Sequence, residues 1–188
     1  LYNSSTKVIY EVPIYQRNYA WEKDEIATLI QDTYDAYENY IAKRNDNIYF
    51  IGTLVTYNKG DNVYEVIDGQ QRLTTINLVL HALNIPVGNK LTYKARRKSN
   101  DTINNIPDFN IDEKDDGIVN GFKYAKAAID EIIPDEKSME CFKKFFLDRV
   151  HIIHYQVPKD IDLNHYFEIM NSRGEQLEKH EIIKARLM

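Results

Sequence analysis

Between Val63 and Leu83 the hydrophobic pattern changes period, with only Asp68-Gly69 at the change, and no other feature constrains the fold as much. Val63 to Ile67 reads as a strand, with Val63, Val66 and Ile67 for burial. Leu73, Ile76, Leu80 and Leu83 then recur at helical spacing, and Asn84 and Pro86 close that helix. Upstream, Tyr49 to Tyr57 is a second strand, with Ile51, Thr53, Val55 and Tyr57 on one face. The intervening Asn58-Lys59-Gly60-Asp61-Asn62 has the composition of a hairpin turn. A hairpin whose second strand runs straight into a helix is therefore the centre of the chain.

The flanking segments extend this pattern. Lys7 to Val12 predicts a short strand ended by Pro13, and residues 14–21 read as a loop. From Asp24, a plausible N-cap, Ile26, Leu29, Ile30, Tyr34, Tyr37 and Ile41 share one helical face. Asn89 to Leu91 opens another strand, and the polar stretch from Arg97 to Asp116 is expected to contain a loop or a variable insertion. Two helices are expected over Phe122 to Ile133 and Lys137 to Leu147, separated by Pro134-Asp135. A strand over Val150 to Val157 is stopped by Pro158. Leu163 to Met170 predicts a helix, Asn171 to Gly174 a turn, and Ile182, Ile183 and Leu187 a last helix. The expected class is α+β: a small mixed sheet with packed helices, in one domain over 1–188 with a helical insertion or extension at about 100–150.

Composition narrows the function classes. With 188 residues, 43% of them hydrophobic, the chain can bury one real core. No apolar run approaches the roughly 20 residues of a membrane span, and the first residues carry no secretory pattern. The single cysteine, Cys141, excludes an internal disulfide and a Cys-rich zinc site, so a cytoplasmic location is expected. The chain starts without Met and ends within a helical pattern, and it reads as part of a longer protein. A net charge of −5 argues against a simple basic duplex binder. Lys90, Lys94, Arg96, Arg97 and Lys98 form one dense cationic stretch, which reads first as a solvated face. The 14 tyrosines fit amphipathic core and surface positions better than base stacking. His151 and His154, three apart on a strand, are expected on opposite faces with structural roles.

Two readings fit the turn after Ile67. The first N–H groups of a helix have no internal partners and carry partial positive charge, which makes them an anion site. Gly69 would admit a ligand close to the backbone, and Arg72 would offer a planar fork to phosphate oxygens. Thr74 and Thr75, in the first turn, would bring hydroxyls to a phosphate or a metal-bound water. In the second reading Asp68 is only the N-cap, Gln71 its capping-box partner, and Arg72 pairs with a nearby carboxylate. The turn lacks the glycines and the Gly-Lys-Ser/Thr ending of a P-loop.

Four ordered segments carry a resemblance. They are Val12-Pro13-Ile14-Tyr15-Gln16-Arg17-Asn18-Tyr19-Ala20-Trp21, then Phe50-Ile51-Gly52-Thr53-Leu54-Val55, then Val66-Ile67-Asp68-Gly69-Gln70-Gln71-Arg72-Leu73-Thr74-Thr75. The fourth is Tyr166-Phe167-Glu168-Ile169-Met170-Asn171-Ser172-Arg173-Gly174-Glu175-Gln176-Leu177 through Lys184. Together they resemble the N-terminal domain of GmrSD-type, modification-dependent restriction endonucleases, and Leu91-Thr92-Tyr93-Lys94-Ala95-Arg96 is similar to the same family. The resemblance implies a ParB-like nuclease core related to sulfiredoxin. It further implies a nucleotide-dependent defence against phage or foreign DNA, with cleavage by an HNH-type domain beyond Met188 or in a partner.

Carried onto matching positions, it places Asp68, Gly69, Gln70, Gln71 and Arg72 on the phosphate turn, Gln16 and Arg17 on the first motif, and Asn171, Arg173 and Gly174 on the last. In the enzyme reading, a nucleoside triphosphatase, Asp68 would hold Mg²⁺ or orient water, Gln70 or Gln71 would position that water, and Arg72, Arg17 and Arg173 would neutralise phosphate charge. Gln16 and Asn171 would bond base or ribose. Mg²⁺ with a nucleoside triphosphate is the expected cofactor, with no zinc, haem or flavin. In the alternative, a non-catalytic module reads DNA phosphate or a modified base, with Tyr15, Tyr19 and Trp21 as stacking surfaces. In a third reading the chain only assembles a longer protein.

Overall fold

The structure, a computed structural model, describes residues 8–43 and 48–160. The chain divides into two compact units, Leu1–Gln156 and Val157–Met188. All the elements below begin in the first unit. The helix, turn and last helix predicted beyond residue 160 lie outside the described residues.

The expected hairpin is present. β2 (Tyr49–Gly60) and β3 (Val63–Asp68) are antiparallel, and the turn residues Asp61 and Asn62 both take positive φ, 48° and 61°. Paired positive φ values are what a two-residue hairpin requires. β1 (Ile9–Glu11) lies parallel to β3, with Ile9 opposite Val63 and Glu11 opposite Glu65. On its other side it pairs in parallel with β4 (Leu91–Thr92). β5 (Val150–Val157) completes a mixed sheet in the order β4-β1-β3-β2-β5. The alternation expected for β2 fails at its centre, where Leu54, Val55 and Thr56 are consecutively buried. β2 is an interior strand between β3 and β5 with both faces covered there, and the register shift opposite Val55 and Thr56 leaves its extra residue, Ile67, on β3.

Five helices pack with this sheet among the described residues. α1 (Lys23–Lys43) starts one residue before the predicted Asp24, which lies in its first turn beside Glu25, with Lys43 in the last. That charge order suits the helix dipole. Ile26, Leu29, Ile30, Tyr34 and Tyr37 are buried as expected, whereas Ile41 is 51% exposed because the helix outruns the core. α2 (Gln70–Ala82) is buried without a break from Leu73 to Leu80, so it is the central helix rather than an amphipathic surface one. α3 (Arg97–Asn104) occupies the start of the stretch expected to contain a loop or a variable insertion. Only Ser99, Thr102 and Ile103 face inward there, too narrow a seam to stand out in a polar segment.

α4 (Asp116–Ile132) is capped by Asp115, whose side chain accepts from the N–H groups of Gly117 and Ile118. Asp115 also ties α3 to α4, receiving the Ser99 hydroxyl and donating its own N–H to Thr102 Oγ1 at 2.8 Å. α5 (Glu136–Arg149) is capped by Asp135. It reaches α1 through an aromatic cluster in which Phe142 lies 5.7 Å from Tyr34 and 5.8 Å from Tyr37. The architecture is α+β, and no helix among the described residues is long and apolar enough to cross a membrane.

Candidate phosphate site at the start of α2

β3 ends at Asp68, and Gly69 takes φ 87° to turn the chain directly into α2. No side chain caps this helix. Its first helical backbone bond runs from Leu73 N to Gly69 O at 2.9 Å. The N–H groups of Gln70, Gln71 and Arg72 therefore have no carbonyl of their own helix to bond. The capping-box reading does not hold. Asp68 is exposed, and the Gln71 amide faces away from it.

The side-chain amides of the two glutamines are instead directed at the 13–20 loop. Gln71 Nε2 donates to Asn18 O at 2.8 Å, and its Oε1 accepts from Ala20 N, also at 2.8 Å. Gln70 Nε2 donates to Arg17 O at 3.1 Å. From the loop side, Gln16 Nε2 donates to Ile67 O at 2.6 Å. These four bonds join residues about fifty apart in sequence and set the first motif against the helix start. Gln71 has both ends of its amide engaged, so its place is to hold the loop rather than a water. Gln70 is 3% exposed, and its Oε1 has no hydrogen-bond partner. Exchanging Gln71 for leucine is expected to cost about 1–3 kcal/mol, because Asn18 O and Ala20 N then lose their partner. Urea unfolding measures this, and a change under about 0.5 kcal/mol, the scatter of neutral surface substitutions, would count against the clamp.

The cations of the site are placed differently from one another. Arg72 lies across β2: Nη1 donates to Thr53 O at 2.9 Å, and the guanidinium covers Gly52. A Cβ at Gly52 would stand 2.8 Å from the Arg72 guanidinium carbon, and Gly52 holds φ 122°, so glycine is required to seat this side chain. Arg72 forms no ion pair with a described residue, contrary to the simple pairing reading. Arg17 is exposed and likewise has no carboxylate partner among the described residues.

Other expected groups stand apart from the helix mouth. Thr74 is fully buried, and its hydroxyl bonds Gln70 O at 2.8 Å and the Tyr93 hydroxyl at 2.5 Å. Thr75 is equally buried, bonding Gln71 O and the Tyr19 hydroxyl. A hydroxyl in the first turn of a helix that is buried all round turns inward, which is why neither reaches solvent. Tyr19 is 4% exposed, and burial lifts its phenol pKa to about 12; Trp21 packs against the core. Of the three expected stacking residues only Tyr15 is exposed. Its hydroxyl donates to Glu65 Oε1 at 2.6 Å, and burial together with that carboxylate raises its pKa. Glu65 shares Lys59 with Glu11, at 3.2 and 2.6 Å. Asn171, Arg173 and Gly174 lie outside the described residues.

The cationic stretch is not a basic groove. Lys94 stands 3.9 Å from Glu11, and Arg97 3.4 Å from Asp101. Arg96 points its guanidinium at the carbonyls of Ile14, Gln16 and Arg17. Sequence reasoning missed it as a site residue, although the Leu91–Arg96 segment carried the signal. His151 and His154, expected on opposite faces, both line a cavity of about 740 Å³, which wraps the start of β5 and also touches α2 and α5. His154 Nε2 meets Thr56 Oγ1 at 2.7 Å, and no group of three metal-ligating side chains occurs among the described residues.

A loop and a strand–helix turn laced together around an uncapped helix start are thus the assembled part of the site. No curated protein matches the chain. A family profile described as the GmrSD restriction endonuclease N-terminal domain matches residues 1–188, the whole chain. By that match the chain belongs to the family of GmrSD restriction endonuclease N-terminal domains.

Proposed function

We propose that the start of α2 holds the phosphates of a nucleoside triphosphate, and that the chain serves, through this nucleotide, a DNA-targeting restriction system that defends against phage. The observation that carries the reading is the uncapped first turn of α2 beside two arginines, Arg72 and Arg17, neither paired to a described carboxylate. Free N–H groups, a positive helix end and planar cations are complementary to polyphosphate.

In this reading the N–H groups of Gln70 to Arg72 bond phosphate oxygens, and Arg72 and Arg17 neutralise their charge. Gly69, expected to admit the ligand, instead lets α2 start against β2, since a Cβ there would meet Thr53 O at 2.8 Å. Asp68, the exposed carboxylate at the end of β3, orients an attacking water if turnover occurs. It is also the one acidic group of the turn. That suits Mg²⁺, which takes one or two carboxylates, keeps waters and binds phosphates, and whose chemistry is to neutralise the transferred group. Gln16, Gln70 and Gln71 hold the geometry. On this reading the core is ParB-like, and an HNH-type partner domain cuts the DNA.

The alternative, a module that reads DNA phosphate, rests on exposed Tyr15 beside Arg17. Glu65 holds the Tyr15 hydroxyl, and the nearby Glu11, Glu65, Lys59 and Lys94 pair among themselves, so no cationic excess is offered to a DNA backbone there. Calorimetric titration with each of the four nucleoside triphosphates and Mg²⁺, and with inorganic tripolyphosphate, tests the reading. Saturable binding of at least one nucleotide, displaced by tripolyphosphate, is expected. No saturable binding by any of them would sink it, and salt-dependent DNA binding in their place would assign the site to the alternative.

A further inference from the structure

We infer that Arg96 is a positioning residue for this phosphate site: it sets where Arg17 stands. The inference rests on the function proposed above and adds a residue to it. The Arg96 guanidinium donates to Ile14 O at 3.0 Å, to Arg17 O at 3.2 Å and to Gln16 O. Three carbonyls of one loop thus converge on one planar fork, a geometry that the five donors of arginine satisfy and the point charge of lysine does not.

The loop needs this support from outside. Its own backbone supplies one bond between Pro13 and Asn18, Gln16 N to Pro13 O at 3.3 Å. On the opposite side it is held by Gln70 and Gln71, and Arg17 O receives both Gln70 Nε2 and Arg96 Nη1. The backbone of Arg17 is therefore fixed from the α2 side and from the α3 side, while its side chain stays exposed. Neighbouring cations do not share this task, since Lys94 turns to Glu11 and Arg97 to Asp101. Arg96, with its guanidinium on backbone carbonyls, acts on the phosphates through Arg17 and not by touching them.

A double-mutant cycle between Arg96 and Arg17, read as tripolyphosphate and nucleoside triphosphate affinity, tests this. Arg17→Ala and Arg96→Ala are each expected to weaken binding roughly tenfold, as loss of about 1.4 kcal/mol at one charge-assisted contact implies. The double variant is expected to bind no worse than Arg17→Ala alone, because Arg96 works through Arg17. Millimolar guanidinium ion is expected to restore binding to Arg96→Ala and not to the double variant. Amide hydrogen exchange in Arg96→Ala should rise at residues 14–18 and stay unchanged in α1 and α5. Arg96→Lys keeps charge and length and loses the fork, so it reports the same effect should the alanine variant fold poorly. Multiplying losses in the double variant, or unchanged exchange at 14–18, would overturn the inference. Absence of binding in the unaltered chain would instead remove the proposed function, and the positioning role with it. The exchange data separate these two failures.

Discussion

Replacing Gly69 by valine is expected to destabilise the chain by about 3 kcal/mol and to abolish phosphate binding. Two independent conflicts add. Gly69 holds φ 87°, a region in which a β-branched residue is strongly disfavoured. A Cβ there would also stand 2.8 Å from the Thr53 carbonyl oxygen, on backbone that cannot turn aside. Strain of about 1–2 kcal/mol from the backbone and a similar amount from overpacking give the estimate. Relief requires α2 to leave β2, which also moves the N–H groups of Gln70 to Arg72 out of register. Urea unfolding and tripolyphosphate titration of the same variant measure both effects. Wild-type stability in Gly69→Val would show that the turn is not held in this conformation.

The second large effect falls on binding alone. Arg72→Ala is expected to lower nucleotide affinity about a hundredfold, as loss of charge-assisted bonds worth about 2–3 kcal/mol implies. Stability should fall by only about 1 kcal/mol, through the bond to Thr53 O. Arg72→Lys is expected to recover stability more than affinity, because lysine cannot present a fork to two oxygens. Gly52 gives an independent check. Gly52→Ala places a methyl group where the Arg72 guanidinium rests, so it should resemble Arg72→Ala in affinity although Arg72 is intact. Equal affinities of the unaltered chain and Arg72→Ala would remove Arg72 from the site.

Much of the fold was legible because the chain states its periods clearly. The hairpin over 49–68 and the switch of period at Asp68-Gly69 appear where the pattern places them, and the helices expected over Phe122 to Ile133 and Lys137 to Leu147 fall on α4 and α5, although α4 already begins at Asp116. The misreadings have local causes. α3 turns only three residues inward, Ile41 lies past the end of the core it would have faced, and β2, an interior strand, is buried on both faces from Leu54 to Thr56. The site was legible as a turn and a set of motifs, but not as roles. Nothing in the run Asp68 to Arg72 distinguishes a glutamine that faces a ligand from one that faces a loop fifty residues earlier. Gln71 does the latter with both ends of its amide. Thr74 and Thr75 looked available because the first turn of most helices is at a surface, whereas α2 is buried from its first turn onward. Arg96 was hidden by its company, since a run of cations reads as solvated until one of them is seen to bond a loop.

The place of β1 in the sheet has a consequence in time. It is made first, yet it lies between β3 and β4 and pairs with both. Its slot is complete only once Thr92 has been synthesised, about 80 residues after Glu11, which at 5–20 residues per second is roughly 4–16 s on the ribosome. The hairpin of β2 and β3 can close meanwhile, as a local contact. The loop that follows β1, with Gln16 and Arg17, waits for partners made about fifty residues later, at Ile67, Gln70 and Gln71. A nascent chain thus carries this loop well before it carries the glutamines that clamp it.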